Sequence, residues 1–97
     1  MRVTNGRIRD AFESLVFKRF RDVQHMRESI PQLLCDVLHE YVGIEDMDYP
    51  SELQEFEDWR VIAVVNIGQP ITMYDVDIYY AVTRSGIIIT EVGYEEA

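Results

Sequence analysis

The sequence predicts an α+β domain in which two N-terminal helices and a short third helix pack on a three-stranded antiparallel β-meander. Two observations support this fold class. Apolar residues recur at helical spacing through the first half of the chain, and β-branched residues dominate short runs in the second half. With 97 residues, 47% of them hydrophobic, the chain is long enough for one core, so a single domain is expected over residues 1–97.

The first helix is predicted from an apolar stripe that repeats at 100° per residue. Phe17 lies opposite this stripe, and Arg19 falls within it, where an unpaired buried charge would be costly. Two interpretations stay open: Phe17 is exposed for a partner contact, or the helix breaks near Phe20 and restarts with a different face. The stripe consists of Ile8, Ala11, Phe12, Leu15, Val16, Val23 and Met26.

A second helix is predicted to begin at Ser29 and to stop at Gly43. Proline is well tolerated in a first helical turn, which fits Pro31, and glycine readily adopts the left-handed conformation that ends a helix. The apolar face of this helix comprises Leu33, Leu34, Val37, Leu38 and Tyr41.

Residues 44–58 form an acidic connector between the helices and the strands. Pro50 and Ser51 followed by Gln54 resemble a helix start, so the third, short helix is predicted over residues 51–57. The acids of the connector are Glu45, Asp46, Asp48, Glu52, Glu55, Glu57 and Asp58.

Three strands are predicted in the remainder of the chain. Residues 60–67 are dense in valine and isoleucine, as in a central strand buried on both faces. Residues 76–83 alternate apolar and polar, which indicates a half-buried strand, and a turn at 84–86 connects it to a third strand over 87–92. Three strands leave two open edges, and such edges favour a homodimer.

Charge is the strongest functional indication in the sequence. The chain carries 18 acidic and 9 basic residues, a net charge of −9. Seven of the bases lie in residues 1–27, so that segment has a balance of +4 and the remainder a balance of −13. An acidic surface of this kind is expected to dock on a basic surface of a partner protein, where its carboxylates can stand in for nucleic-acid phosphates. The predicted partner-binding residues are Glu45, Asp46, Asp48, Tyr49, Glu52, Glu55, Phe56, Glu57, Asp58 and Trp59.

Two alternatives remain open. The basic N-terminal helix could make the protein a nucleic-acid-associated regulator that binds as a dimer, although the charge of the remaining chain opposes direct contact with phosphates. Cys35 and His39, four residues apart on the second predicted helix, could centre a small metal protein or an enzyme. Structural zinc needs four ligands, however, and the only other histidine is His25.

Other classes of protein find no support in the sequence. No apolar run approaches the length that a membrane span needs, no secretory signal is evident, and the single cysteine excludes an intramolecular disulfide. The expectation is therefore a cytoplasmic protein without a cofactor. No phosphate-binding loop or nucleophile motif suggests an enzyme, so the predicted role is that of a regulator, adaptor or inhibitor such as phages and mobile elements encode.

Overall fold

A five-stranded antiparallel sheet is the centre of the fold. The computed structural model describes residues 4–47 and 58–97, and within these ranges the chain forms two helices and five strands. The spatial strand order is β1-β5-β4-β3-β2, and the sheet curls into a half-barrel. In chain order the elements are α1 (Asn5–Glu13), β1 (Arg19–Phe20), α2 (Val23–Leu38), β2 (Val42–Met47), β3 (Asp58–Ile67), β4 (Thr72–Thr83) and β5 (Gly86–Glu96).

The predicted arrangement of three helices on a three-stranded meander is wrong, because two further strands widen the sheet. β1 has only two residues, too few to show any periodicity. β2 lies where an acidic connector was predicted, and a bulge at Glu45 interrupts its alternation, so that Ile44 and Met47 occupy the same face. The predicted helix over residues 51–57 lies outside the described residues.

α1 ends at Glu13, and a new helix begins at Val23, so the first helix breaks earlier than the break near Phe20 that one of the two open interpretations placed there. Its N-cap is Thr4, whose side chain accepts a hydrogen bond from the backbone N–H of Arg7 at 3.4 Å. Four residues after the helix, Phe17 has a φ of +69°, and its N–H donates to the carbonyl of Ile89 at 2.7 Å. The chain thus leaves the helix to reach the sheet, and the residues of the predicted stripe are divided between α1, the turn that follows it and α2.

α2 begins at Val23, six residues before the predicted start at Ser29. The N-cap is Asp22, which has an extended backbone and whose carboxylate accepts a hydrogen bond from the N–H of His25 at 2.7 Å. Pro31 consequently lies inside the helix and not in its first turn.

The same helix ends at Leu38, before the predicted stop at Gly43. His39 takes the left-handed conformation at its C-cap, with a φ of 56°, and its N–H donates to the carbonyl of Cys35 at 2.7 Å. A non-glycine residue therefore ends the helix, and Gly43 belongs to β2.

The core lies between the two helices and one face of the sheet. No described element covers the opposite face of the sheet, which we call the uncovered face. Residues 60–67 are therefore not buried on both faces as predicted. Val61 and Ala63 are buried, but Ile62 is 44% exposed. The largest buried side chains are Tyr80, Phe12, Ile8, Leu15, Met26, Ile30, Leu34, Leu38, Ile67, Ile78, Ile89 and Val61.

Candidate functional site

The predicted partner-binding residues divide between two strands and a segment outside the described residues. Glu45 and Asp46 lie in β2 and are exposed, and Asp58 and Trp59 begin β3. The remaining predicted residues fall outside the described ranges: Asp48, Tyr49, Glu52, Glu55, Phe56 and Glu57.

Trp59, one of the predicted partner-binding residues, lies at the margin of the core. Its side chain is half-buried and packs against the hydrophobic core, and Trp59 pairs with the fully buried Tyr80 on β4. Among residues 4–47 and 58–97, the indole Nε1 of Trp59 and the hydroxyl of Tyr80 have no hydrogen-bond partner. Burial raises the pKa of Tyr80 to about 12. Tyr80 thus belongs to the core, and Trp59 packs against it from a partly exposed position.

Five carboxylates lie together on the uncovered face of the sheet. Asp75 and Asp77 alternate with the buried Val76 and Ile78 along β4, so their side chains lie on the face opposite the core. Paired residues in an antiparallel sheet share a face, which places the partners of β4 on β5 on this same surface. We call this set the acidic face: Asp46, Asp75, Asp77, Glu91 and Glu95.

Two β-bulges bring the outer members of the acidic face into position. On β5, Ile89 pairs with Tyr80 but Glu91 pairs with Tyr79, so Thr90 is an extra residue. In a regular strand, without this bulge, Glu91 would lie on the same buried face as Ile89. On β2, the bulge at Glu45 has the corresponding effect on Asp46.

The acidic face concentrates like charge. Asp75 lies directly opposite Glu95, and Asp77 follows two residues along the same strand. None of the five carboxylates forms an ion pair with a basic side chain in the part of the chain that the structure describes. Arg60, opposite Tyr79, is the one basic residue that strands β2 to β5 place on this face as far as they are described.

The other basic residues are spread over several elements, and one of them, Arg19 of β1, pairs with Ile88 and so shares the uncovered face at the β1 edge of the sheet. Arg7 donates hydrogen bonds to the carbonyls of Val37 and Leu38 at the end of α2, and Arg9 lies 3.9 Å from the carboxylate of Asp10. The continuous basic helix on which the nucleic-acid alternative depends is therefore absent from residues 4–47. The other described bases near the N-terminus are Lys18, Arg19, Arg21 and Arg27.

Cys35 and His39 do not form a shared site on one helix face. Cys35 is half-buried inside α2, whereas His39 is exposed and has left the helical conformation. Within residues 4–47 and 58–97, no group of three or more His, Cys, Asp and Glu side chains is arranged to hold a metal ion. The alternative centred on these two residues thus gains no geometric support.

An open cleft of about 360 Å³ lies beside the acidic face, at the turn between β3 and β4. Ile71 is 50% exposed and Met73 41% exposed, so the cleft has an apolar wall in contact with solvent. Its lining comprises Pro70, Ile71, Thr72, Met73, Glu96 and Ala97.

Sequence reasoning missed most of the acidic face, although part of its signal was present. The alternation along β4 already indicated that Asp75 and Asp77 lie on a solvated face. Glu91 and Glu95 could not be assigned in this way, since a bulge reverses the alternation between Ile89 and Glu91. The cleft at Ile71 and Met73 requires the folded turn and has no local sequence signal.

No protein-family model, curated protein or solved structure matches this chain. Neither of the two helices in the described ranges is long and apolar enough to cross a membrane.

Proposed function

We propose that this protein is a protein-binding module whose acidic face docks on a basic surface of a partner protein. The observation that carries this proposal is the direct opposition of Asp75 and Glu95 on the uncovered face of the sheet, with Asp77 beside them. Like charges directly opposite each other on a sheet destabilise it. The positive groups of a basic partner attract both carboxylates and offset the repulsion between them. The uncovered face is therefore suited to binding a basic surface.

Long-range electrostatics support the same proposal. The net charge of −9 attracts a basic partner from a distance and raises the association rate, most strongly at low salt. On this proposal the protein acts by occupying its partner's surface, as a regulator, adaptor or inhibitor, and not by catalysis. Where that surface normally binds nucleic acid, the carboxylates of the acidic face take the place of phosphates.

The first test neutralises the acidic face. The variant Asp75→Asn, Asp77→Asn, Glu95→Gln changes the net charge from −9 to −6, since three negative charges are removed. Binding of a fluorescent lysine-rich peptide, measured by anisotropy at low and high salt, is expected to weaken by at least about tenfold in this variant. The wild-type affinity is expected to fall steeply with salt, because the carboxylates are exposed and screened.

A matched control separates the acidic face from net charge alone. Glu13→Gln, Glu28→Gln, Asp36→Asn also takes the net charge to −6, but these exposed acids lie on α1 and α2. Its peptide affinity is expected to stay within about twofold of the wild type. Equal losses in the two variants would show that only overall charge matters and would contradict a docking surface on the sheet.

The acidic connector is tested in parallel. The triple exchange Glu52→Lys, Glu55→Lys, Asp58→Lys reverses charge near the start of β3 and leaves all five members of the acidic face intact. If only this variant loses peptide binding, the docking surface lies around the exchanged residues and its assignment to the acidic face is wrong.

Competition identifies the kind of basic surface. Partners are captured from a nuclease-treated lysate by the wild type and by the neutralised variant, and proteins retained only by the wild type are purified. Duplex DNA that displaces the module from such a protein supports nucleic-acid mimicry. Unchanged binding in the presence of DNA indicates a basic surface of another kind.

A further inference from the structure

The segment over residues 17–21 combines positive charge with an exposed apolar side chain, and these are the groups that would bind to the acidic face and its cleft. It reads Phe-Lys-Arg-Phe-Arg, so Phe17, Arg19 and Arg21 occupy alternate positions. All three are exposed, Phe17 to 72%. This is the opposite of the acidic face in charge, and it adds one large apolar side chain.

The exposure of the Phe17 ring is not explained by the fold. A positive φ is rare for a bulky residue, and the φ of +69° at Phe17 belongs to the turn that leads the chain from α1 to the sheet. The backbone N–H of Phe17 is fixed to the sheet at Ile89, while its ring is left in water. The ring is therefore held at a defined place on the surface without being buried.

The cleft and the acidic face are continuous along β4. Met73, Asp75 and Asp77 lie at alternate positions of one strand, on the face opposite the core, at intervals of about 7 Å. An apolar wall is therefore followed by two carboxylates, and Glu95 adds a third beside Asp75. Phe17, Arg19 and Arg21 repeat the same order of apolar and charged groups with the opposite charge.

We infer that a second copy of this chain occupies the acidic face, with Phe17 in the cleft between Ile71 and Met73 and Arg19 and Arg21 against the carboxylates of β4 and β5. This inference rests on the proposed function, since it uses the same acidic face and identifies its partner as a second copy of the chain. Because each copy has both the segment and the face, the contact can be made twice in a two-fold dimer. Exposed charge pairs of this kind set orientation, while the buried aromatic ring supplies most of the affinity.

Light scattering and sedimentation over a concentration series test the dimer. Phe17→Ser and Ile71→Ser are each expected to weaken dimerisation by about tenfold or more, since each removes one side of the apolar contact. Val37→Ser, which removes an exposed apolar side chain on α2, is the matched control and is expected to change dimerisation by less than about twofold. Added salt is expected to weaken the wild-type dimer.

A mixing experiment tests the pairing itself. A dimer of one Phe17→Ser copy with one Ile71→Ser copy retains one complete contact, because the first supplies an intact cleft and the second an intact Phe17. The mixed dimer is therefore expected to be more stable than either variant's own dimer. Mixed dimers no more stable than the variants' own would overturn the inferred contact, as would a Phe17→Ser protein that dimerises like the wild type.

Failure of the inference and failure of the proposed function have different signatures. A wild type that stays monomeric but binds the lysine-rich peptide through Asp75, Asp77 and Glu95 overturns the dimer and leaves the proposed function standing. A dimer that depends on Phe17 and Ile71 in a protein that binds no basic peptide when diluted to monomer supports the inference and contradicts the proposed function.

Discussion

The guanidinium of Arg7, in α1, donates a hydrogen bond to the backbone carbonyl of Leu38, the last residue of α2. The same group reaches the carbonyl of Val37 at 3.4 Å. The last carbonyls of a helix have no partner within it and carry a partial negative charge. One side chain therefore satisfies the end of α2 and ties the two helices together.

Replacing Arg7 with alanine is expected to lower the free energy of unfolding by about 1–3 kcal/mol, because a charged donor is removed from carbonyls that end a helix. Urea unfolding followed by circular dichroism measures this loss. Arg9→Ala is the control from the same helix. Its contact with Asp10 is highly exposed at 3.9 Å, so its removal is expected to have almost no effect. Equal effects of the two exchanges would contradict the structural role of Arg7.

Gly86, the first residue of β5, is expected to be intolerant of any side chain. It has a φ of +136°, and a Cβ there would overlap the carbonyl oxygen of Phe20 on β1. Gly86→Ala is therefore expected to destabilise the protein by about 2 kcal/mol or more, either by straining the turn or by displacing β1.

Gly6 provides the contrast, since it lies in α1 and a Cβ added there would meet no atom within 4 Å. Gly6→Ala is expected to raise the free energy of unfolding by about 0.5–1 kcal/mol, because alanine favours the helix. Thermal unfolding of both variants checks the pair. A tolerated alanine at position 86 would show that β1 does not approach the turn as closely as the structure indicates.

The positions of Gly86 and Arg7 also show which parts of the fold were accessible to sequence reasoning. Alternating or dense β-branched residues identified segments within β3, β4 and β5, because that pattern is local. β1 was not predictable, since its two residues are held by contacts with β5 and by the close approach at Gly86. Arg7 looked like one member of a basic helix, and only the packing of α1 on α2 reveals its role.

The predicted partner-binding residues and the acidic face share acidic chemistry but overlap only at Asp46. Glu45 and Asp46 are exposed, whereas Trp59 is half-buried and packs against the core. The acids on β4 and β5 come together through strand pairing across distant parts of the chain. Bulges at Glu45 and Thr90 determine which face the outer acids occupy, and a bulge depends on the partner strand.

Tyr80 is expected to make the protein sensitive to alkali. Burial raises the pKa of its hydroxyl to about 12 from the ordinary value of 10.0, so the folded state keeps a proton that the unfolded state loses. The resulting stability is complete below pH 10 and is lost as the pH rises toward 12, by roughly 2–3 kcal/mol.

Tyr80→Phe is expected to remove this part of the alkaline decline. At neutral pH the variant is expected to be as stable as the wild type or up to about 1 kcal/mol more stable, because no described residue forms a hydrogen bond with the buried hydroxyl. Urea unfolding at a series of pH values measures both effects. A large loss of stability in Tyr80→Phe at neutral pH would reveal a hydrogen bond that the described residues do not provide.

The opposition of Asp75 and Glu95 predicts a conflict between stability and binding. Asp75→Lys places a positive charge opposite Glu95 and two residues from Asp77, so the repulsion on the acidic face becomes attraction. The free energy of unfolding is expected to rise by about 0.5–1 kcal/mol. Binding of the lysine-rich peptide is expected to weaken by at least about tenfold, since the peptide then meets a like charge at the centre of its docking surface.

A double exchange shows whether the gain belongs to the pair. Asp75→Lys with Glu95→Lys restores like charges across the two strands, so the stability gained by the single exchange is expected to disappear. Peptide binding stays weak in the double variant, because two carboxylates of the acidic face are gone. If Asp75→Lys instead lowers stability, the carboxylates of Asp75 and Glu95 do not repel each other in the folded protein. The acidic face then has no repulsion that a basic partner could offset, which contradicts the proposed function.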